Sequence, residues 1–169
     1  MREMVEKDKD YMNLVADIID HKEFVKTQNF VHHLSNRYEH SLRVSYISYK
    51  ITKALRLDYE SVARGGLLHD FFFTEEKKNK KESVSSLFMH SNYALINSRQ
   101  HFELNEVEEN IIAAHMFPFS MRVPLYLESW IVDGVDDVVA IVEVVKARKL
   151  QFQTAFNLLV LILLNTLAK

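Results

Sequence analysis

From Tyr11 to Val25 the apolar positions Leu14, Val15, Ile18 and Ile19 fall on one helical stripe, which predicts a first helix. A second helical pattern begins at about Asn36 and runs through RYEHSLRVSYISYKITKAL, with His40, Val44, Ile47 and Ile51 on one face. In LRLDYESVARGGLLHDFFF, Asp58 is placed to cap a helix from Tyr59 to about Phe72, and Gly65-Gly66 inside it implies close packing against a neighbour. The charged run TEEKKNKKES reads as a solvated loop and a lid. Ser86 to Ser98 forms a helix carrying His90. Asn105 and Glu108 have the spacing of a capping box, opening a helix through Ile111, Ile112 and His115 that Pro118 stops. A last long pattern runs from Leu125 to about Lys146, followed by an apolar tail helix over 147–169.

With three glycines and two prolines in 169 residues, tight hairpin turns lack raw material, so the fold class is all-α, a single-domain helical bundle with its core over about 30–140. The tail's uninterrupted apolar run, Leu158 to Leu164, is much shorter than the ~20 residues a membrane span needs. It reads as a core or dimer-interface helix, making a homodimer the expected assembly. The N-terminus mixes charges of both signs and has no apolar core, so a cytoplasmic location is expected.

A net charge of −2 gives no global attraction for a polyanion, so nucleic acid is not an expected partner. The absence of cysteine excludes disulfides, thiolate nucleophiles and cysteine zinc sites. Histidine remains, with eight copies. Several histidines and carboxylates sit within apolar helix faces: His40, His69-Asp70, His90, His115 and an aspartate between 133 and 137. Taken singly, each has an ordinary explanation, such as His115 capping the last carbonyls of its helix or Asp137 on a solvated edge. Taken together they form a set of imidazole and carboxylate donors on different helices, the ligand types of first-row divalent cations. A shared cation would also partner the buried carboxylate of Asp70.

The order H…HD…H…H…D, with RYEHSLRVS at 37–45, LDYESVARGGLLHD at 57–70 and IIAAHMFP at 111–118, resembles the HD-domain superfamily of metal-dependent phosphohydrolases. The resemblance implies that His40, His69, Asp70 and Asp136 hold one metal. His90 and His115 match the additional histidines of two-metal members, with Asp70 bridging and serving as the catalytic carboxylate. Asp133, one turn before Asp136 on nearly the same face, is the alternative last ligand. The cofactor implied is one or two divalent ions among Fe, Mn, Zn, Co, Ni and Mg. The function implied is hydrolysis of a small nucleotide or related phosphoester by a metal-bound hydroxide.

Basic residues near the first ligand helix, Arg37, Arg43 and Lys50, and the histidine His33 are the candidate substrate contacts, since 40, 43, 47 and 50 share a helix face. The chain departs from the pattern at two positions, one being Gly134, a glycine unusual within a helix beside Asp136. At the other, three residues after the aspartate, many relatives carry a phosphate-binding lysine where this chain has Phe73. A metal-binding or nucleotide-sensing module acting through a partner is therefore the alternative to an enzyme.

Overall fold

The computed structural model describes residues 2–32, 35–73 and 80–167, with backbone alone at 31, 32, 35, 80–88, 155, 156 and 158–167. The fold is all-α. Helices α1 (Arg2–Lys7), α2 (Lys9–Ile19) and α3 (Lys22–Val25) lead through a 3-10 turn at Lys26–Asn29. A two-residue antiparallel ladder, Val31–His32 with Ser35–Asn36, precedes α4 (Arg37–Leu55). Then follow α5 (Tyr59–Leu68), α6 (Lys80–His101), α7 (Glu106–Ala114) and α8 (Leu127–Leu167). No helix among the described residues is long and apolar enough to cross a membrane.

Helix α5 is the central element, packing on α4, α7 and α2, while α4 and α7 both pack on α8. Its two glycines explain how. A Cβ on Gly66 would lie 3.1 Å from the Ser45 Cα, and one on Gly65 would lie 3.1 Å from Ile111, so the missing side chains let α4 and α7 approach. Tyr11, Ile18, Phe24, Tyr49, Leu67, Phe71 and Ile112 fill one core around this contact, each contributing roughly 1.5–3 kcal/mol on burial. A smaller cluster of Val44, Val62, Ile111, Val132 and Val139 seats α8. The expected caps are present: Asp58 accepts from Ser61 N at 3.1 Å, and Asn105 and Glu108 form a reciprocal capping box.

Four boundaries differ from the sequence reading. The first helix breaks at Asp20-His21, where the His21 ring accepts from Glu23 N and starts α3. Helix α5 ends at Leu68 rather than Phe72, because the His69 ring bonds the Gly66 carbonyl and the chain turns there. Helix α6 begins at Lys80, so it absorbs the last four residues of the expected loop, while 74–79 lie outside the described residues. The tail is not a separate helix: α8 is continuous over 41 residues, since no glycine or proline follows Gly134 to stop it.

Candidate metal centre

Five helices deliver the six expected donors to one place. His40 stands in the first turn of α4, fixed by Asn36, whose side chain accepts from Glu39 N at 2.8 Å. His69 and Asp70 occupy the turn after α5, His90 lies on α6, His115 caps α7, and Asp136 lies on α8. All are buried except Asp136, whose side chain is 15% exposed. His40 Nε2 meets Asp136 Oδ1 at 2.8 Å, and His69 Nε2 lies 3.6 Å from the same oxygen. On the other side, His90 Nε2 and His115 Nε2 are 2.9 Å apart, with Asp70 Oδ1 at 3.7 and 3.8 Å from them.

The ring nitrogens on the far side are tied down. His69 Nδ1–H donates to the Gly66 carbonyl at 2.7 Å and His115 Nδ1–H to the Ile112 carbonyl at 2.8 Å. Because a carbonyl only accepts, Nδ1 carries a proton in both rings and Nε2 is the nitrogen directed at the cluster, where it can ligate a cation once it is deprotonated. His40 Nδ1 faces Glu143 Oε2 at 3.3 Å, a carboxylate that fixes the orientation of the ring while Nε2 is directed at Asp136. Among the described residues the buried His69 Nε2 has no hydrogen-bond partner, its nearest carboxylate oxygen being Asp136 Oδ1 at 3.6 Å.

The charges follow this geometry. Burial opposes charge on His40, but the hydrogen bonds it donates to Asp136 and Glu143 override it and hold the ring's pKa at about 10. Burial likewise opposes charge on Asp136, yet His69 and His40 keep its carboxyl well below the usual range. Burial drives His115 down to about 3, reinforced by His69 and His90, and lowers His90 as well. One end of the cluster is thus an ion pair and the other a neutral imidazole pair.

Two groups of donors lie within 4.8 Å of one another: His40, His69 and Asp136, and His69, Asp70 and His115. Two ligands about 2.0–2.2 Å from one ion at right angles sit about 3 Å apart, so these separations suit coordination after small adjustments. His69 is common to both groups, and its Nε2, without a hydrogen bond among the described residues, is what a cation would satisfy. The residues present therefore fit a divalent metal.

A family model described as HD domain matches residues 37–141, more than half of the chain. The chain belongs to the HD domain family. No curated protein and no solved structure matches it. Members of this superfamily are mostly metal-dependent phosphohydrolases that bind divalent metals, and the His/Asp groups of this HD domain are of that kind.

Within the HD domain, Asp136 rather than Asp133 meets the histidines. Asp133 lies beside the site, its carboxyl pushed up to about 7 by burial and by Asp137 and Asp136, with a backbone bond from Phe117 opposing. Asp137 is exposed. Arg37 is buried with its guanidinium 3.8 Å from the centroid of the Phe72 ring, donates to the Phe72 carbonyl, and places Nε 3.8 Å from Asp70 Oδ2. Two expected substrate contacts are engaged elsewhere. Arg43 is bonded to Glu143, and Lys50 reaches Asp8 at 3.4 Å. Ten residues beyond His40, Lys50 is about 15 Å further along the helix axis, too far to share a site that touches only the first turns. His33 lies outside the described residues. Phe73 packs against Phe30 and Phe71 at 5.5 and 5.7 Å between ring centroids. Glu143 was not anticipated. Its only signal in the sequence is a lone glutamate among valines seven residues after Asp136, hence on the same face.

Proposed function

We propose that this HD domain is a metal-dependent phosphohydrolase acting on a small nucleotide or related phosphoester in the cytoplasm. The observation that supports this reading is the buried His69, shared by two sets of imidazole and carboxylate donors and with no hydrogen bond to its Nε2 among the described residues. His40, His69 and Asp136 would hold one divalent ion, and Asp70, His90 and His115 would engage a second, with Asp70 shared between them. When bound, such ions supply Lewis acidity toward phosphate oxygens and lower the pKa of water from 15.7 toward about 7.

The remaining work belongs to the chain. Glu143 holds the His40 ring so that its Nε2 stays directed at Asp136. Arg37 provides a fixed positive charge on the Asp70 side, locked by stacking on Phe72, and among the described residues its Nε has no hydrogen-bond partner. This guanidinium would meet the phosphate in place of the lysine that Phe73 has replaced. The Phe72 ring also stacks on His90.

Metal analysis of the purified protein, followed by hydrolysis assays on a nucleotide panel with Mn²⁺ or Fe²⁺, tests the reading. Metal-dependent release of phosphate or nucleotide is expected, with metal content falling in His69→Ala and Asp70→Ala. The tying of Arg43 to Glu143 and of Lys50 to Asp8 favours one second reading, a metal-binding sensor that does not turn over. Bound metal with no hydrolysis across the panel would select it.

A further inference from the structure

Helix α8 carries site residues on one face and an uncovered apolar seam on the other. Val132, Asp133, Val139 and Glu143 are buried against the bundle. On the opposite side Val138, Ile141, Val145 and Phe152 are 60, 63, 60 and 76% exposed. These positions do not scatter. Gly134, Val138, Ile141, Val145, Arg148 and Phe152 follow a strict alternation of four and three residues, and the sequence keeps that register through Ala155, Leu159 and Ile162. A four-three spacing sustained over four heptads is the pattern of a coiled-coil seam.

Gly134 lies on this seam. Unlike Gly65 and Gly66, it has no atom of the described residues within 4 Å of the position a Cβ would occupy, so packing among those residues does not account for it. A glycine in a helix interior costs about 1 kcal/mol relative to alanine, and close approach by another chain would account for it. Charge supplies the direction. Between Leu127 and Glu143 the helix has five carboxylates and no lysine or arginine, whereas Lys146, Arg148 and Lys149 follow with no carboxylate from Val144 onward. A parallel pair would set Arg148 against its own copy; an antiparallel pair sets the basic stretch against the acidic one.

We propose that α8 pairs with α8 of a second copy of this chain as an antiparallel two-helix coiled coil centred near residue 143. In that register Phe152 enters the space left by Gly134, Val145 packs on Ile141, and Lys149 lies beside Asp137. The two bundles then sit on opposite sides of the helix pair, and the helix that positions Asp136 becomes the spine of the dimer. The proposal does not depend on the enzymatic reading.

Sedimentation of the full chain should give twice the chain mass at micromolar concentration, and Val138→Lys with Ile141→Lys should abolish the dimer while the helical circular dichroism signal is kept. Orientation is read separately, since the natural chain has no cysteine. Gly134→Cys and Phe152→Cys, each alone, should give no disulfide dimer under mild oxidation; the two co-expressed should cross-link. Cross-linking of each alone would overturn the antiparallel arrangement. A monomer in sedimentation, including one that floats with lipid vesicles through the same face, would overturn the pairing itself.

Discussion

Glu143 Oε2 lies 3.3 Å from His40 Nδ1, so the carboxylate two turns beyond Asp136 on α8 holds the ring that Asp136 contacts through its other nitrogen. A carboxylate behind a ligand histidine raises its basicity and locks its rotation, and its loss typically weakens metal binding by roughly 10–100-fold. Glu143→Gln, which keeps an acceptor but not the charge, should lower Mn²⁺ affinity about tenfold by calorimetric titration. Glu143→Ala should fall near the upper end and also release Arg43. Unchanged affinity in both would remove Glu143 from the site.

Arg37 should separate metal binding from turnover. Arg37→Met keeps much of the stem packing on Phe72 but removes the cation, and an analogous loss of one electrostatic donor costs roughly 10²–10³ in rate. Metal content by mass spectrometry should be retained while kcat/KM drops by about that factor. Because the Phe72 carbonyl loses its donor, stability should also fall by roughly 1–3 kcal/mol in urea unfolding. A variant with full activity would transfer phosphate recognition elsewhere.

Gly66→Ala should destabilise the bundle where α4 crosses α5. The added methyl meets the Ser45 Cα at 3.1 Å, backbone rather than a yielding side-chain tip, and such overpacking costs about 1–3 kcal/mol. Ser45 itself donates to the Ala63 carbonyl at 2.6 Å and pairs with the Tyr11 hydroxyl at 2.7 Å, so little relief is available. Thermal melts of the purified variant check this.

Asp133 gives the metal-free protein a distinct pH dependence. Burial, with Asp137 and Asp136 nearby, raises its carboxyl in the folded state to about 7 from an ordinary value of 3.8. The unfolded state therefore loses its proton first, and the carboxyl's contribution to stability is lost as pH rises from about 4 to 7. Asp133→Asn keeps an acceptor for the Phe117 backbone bond without the charge. It should stabilise the metal-free protein on the order of 1–3 kcal/mol above pH 7 and leave it unchanged below pH 4. Denaturant midpoints at pH 4, 6 and 8 measure the trend; a gain independent of pH would sink it.

The donors were legible because polar side chains inside apolar helical stripes have few structural explanations that hold for six positions at once. Caps at Asp58 and Asn105 were equally readable, being local chemistry between residues three apart. What escaped was set by distant partners. Helix α5 stops at Leu68 where the His69 ring takes the Gly66 carbonyl, and beyond the turn the Phe72 carbonyl is captured by Arg37 of α4. Arg43 and Lys50 looked available because Glu143 and Asp8 are remote in sequence. Periodicity placed Lys50 on the right face but says nothing of its distance along the axis.

The side chains of His69 and His115 each bond the carbonyl three residues back, at the last turn of α5 and of α7. Each ring is therefore a helix stop through Nδ1 and a prospective ligand through Nε2. Fraying of either helix end would swing an Nε2 out of the cluster, and holding both nitrogens on a cation would in turn clamp the two ends. Amide hydrogen exchange near Leu68 and Ala114 should accordingly slow when metal is added, reporting occupancy of the centre from the backbone, without any substrate.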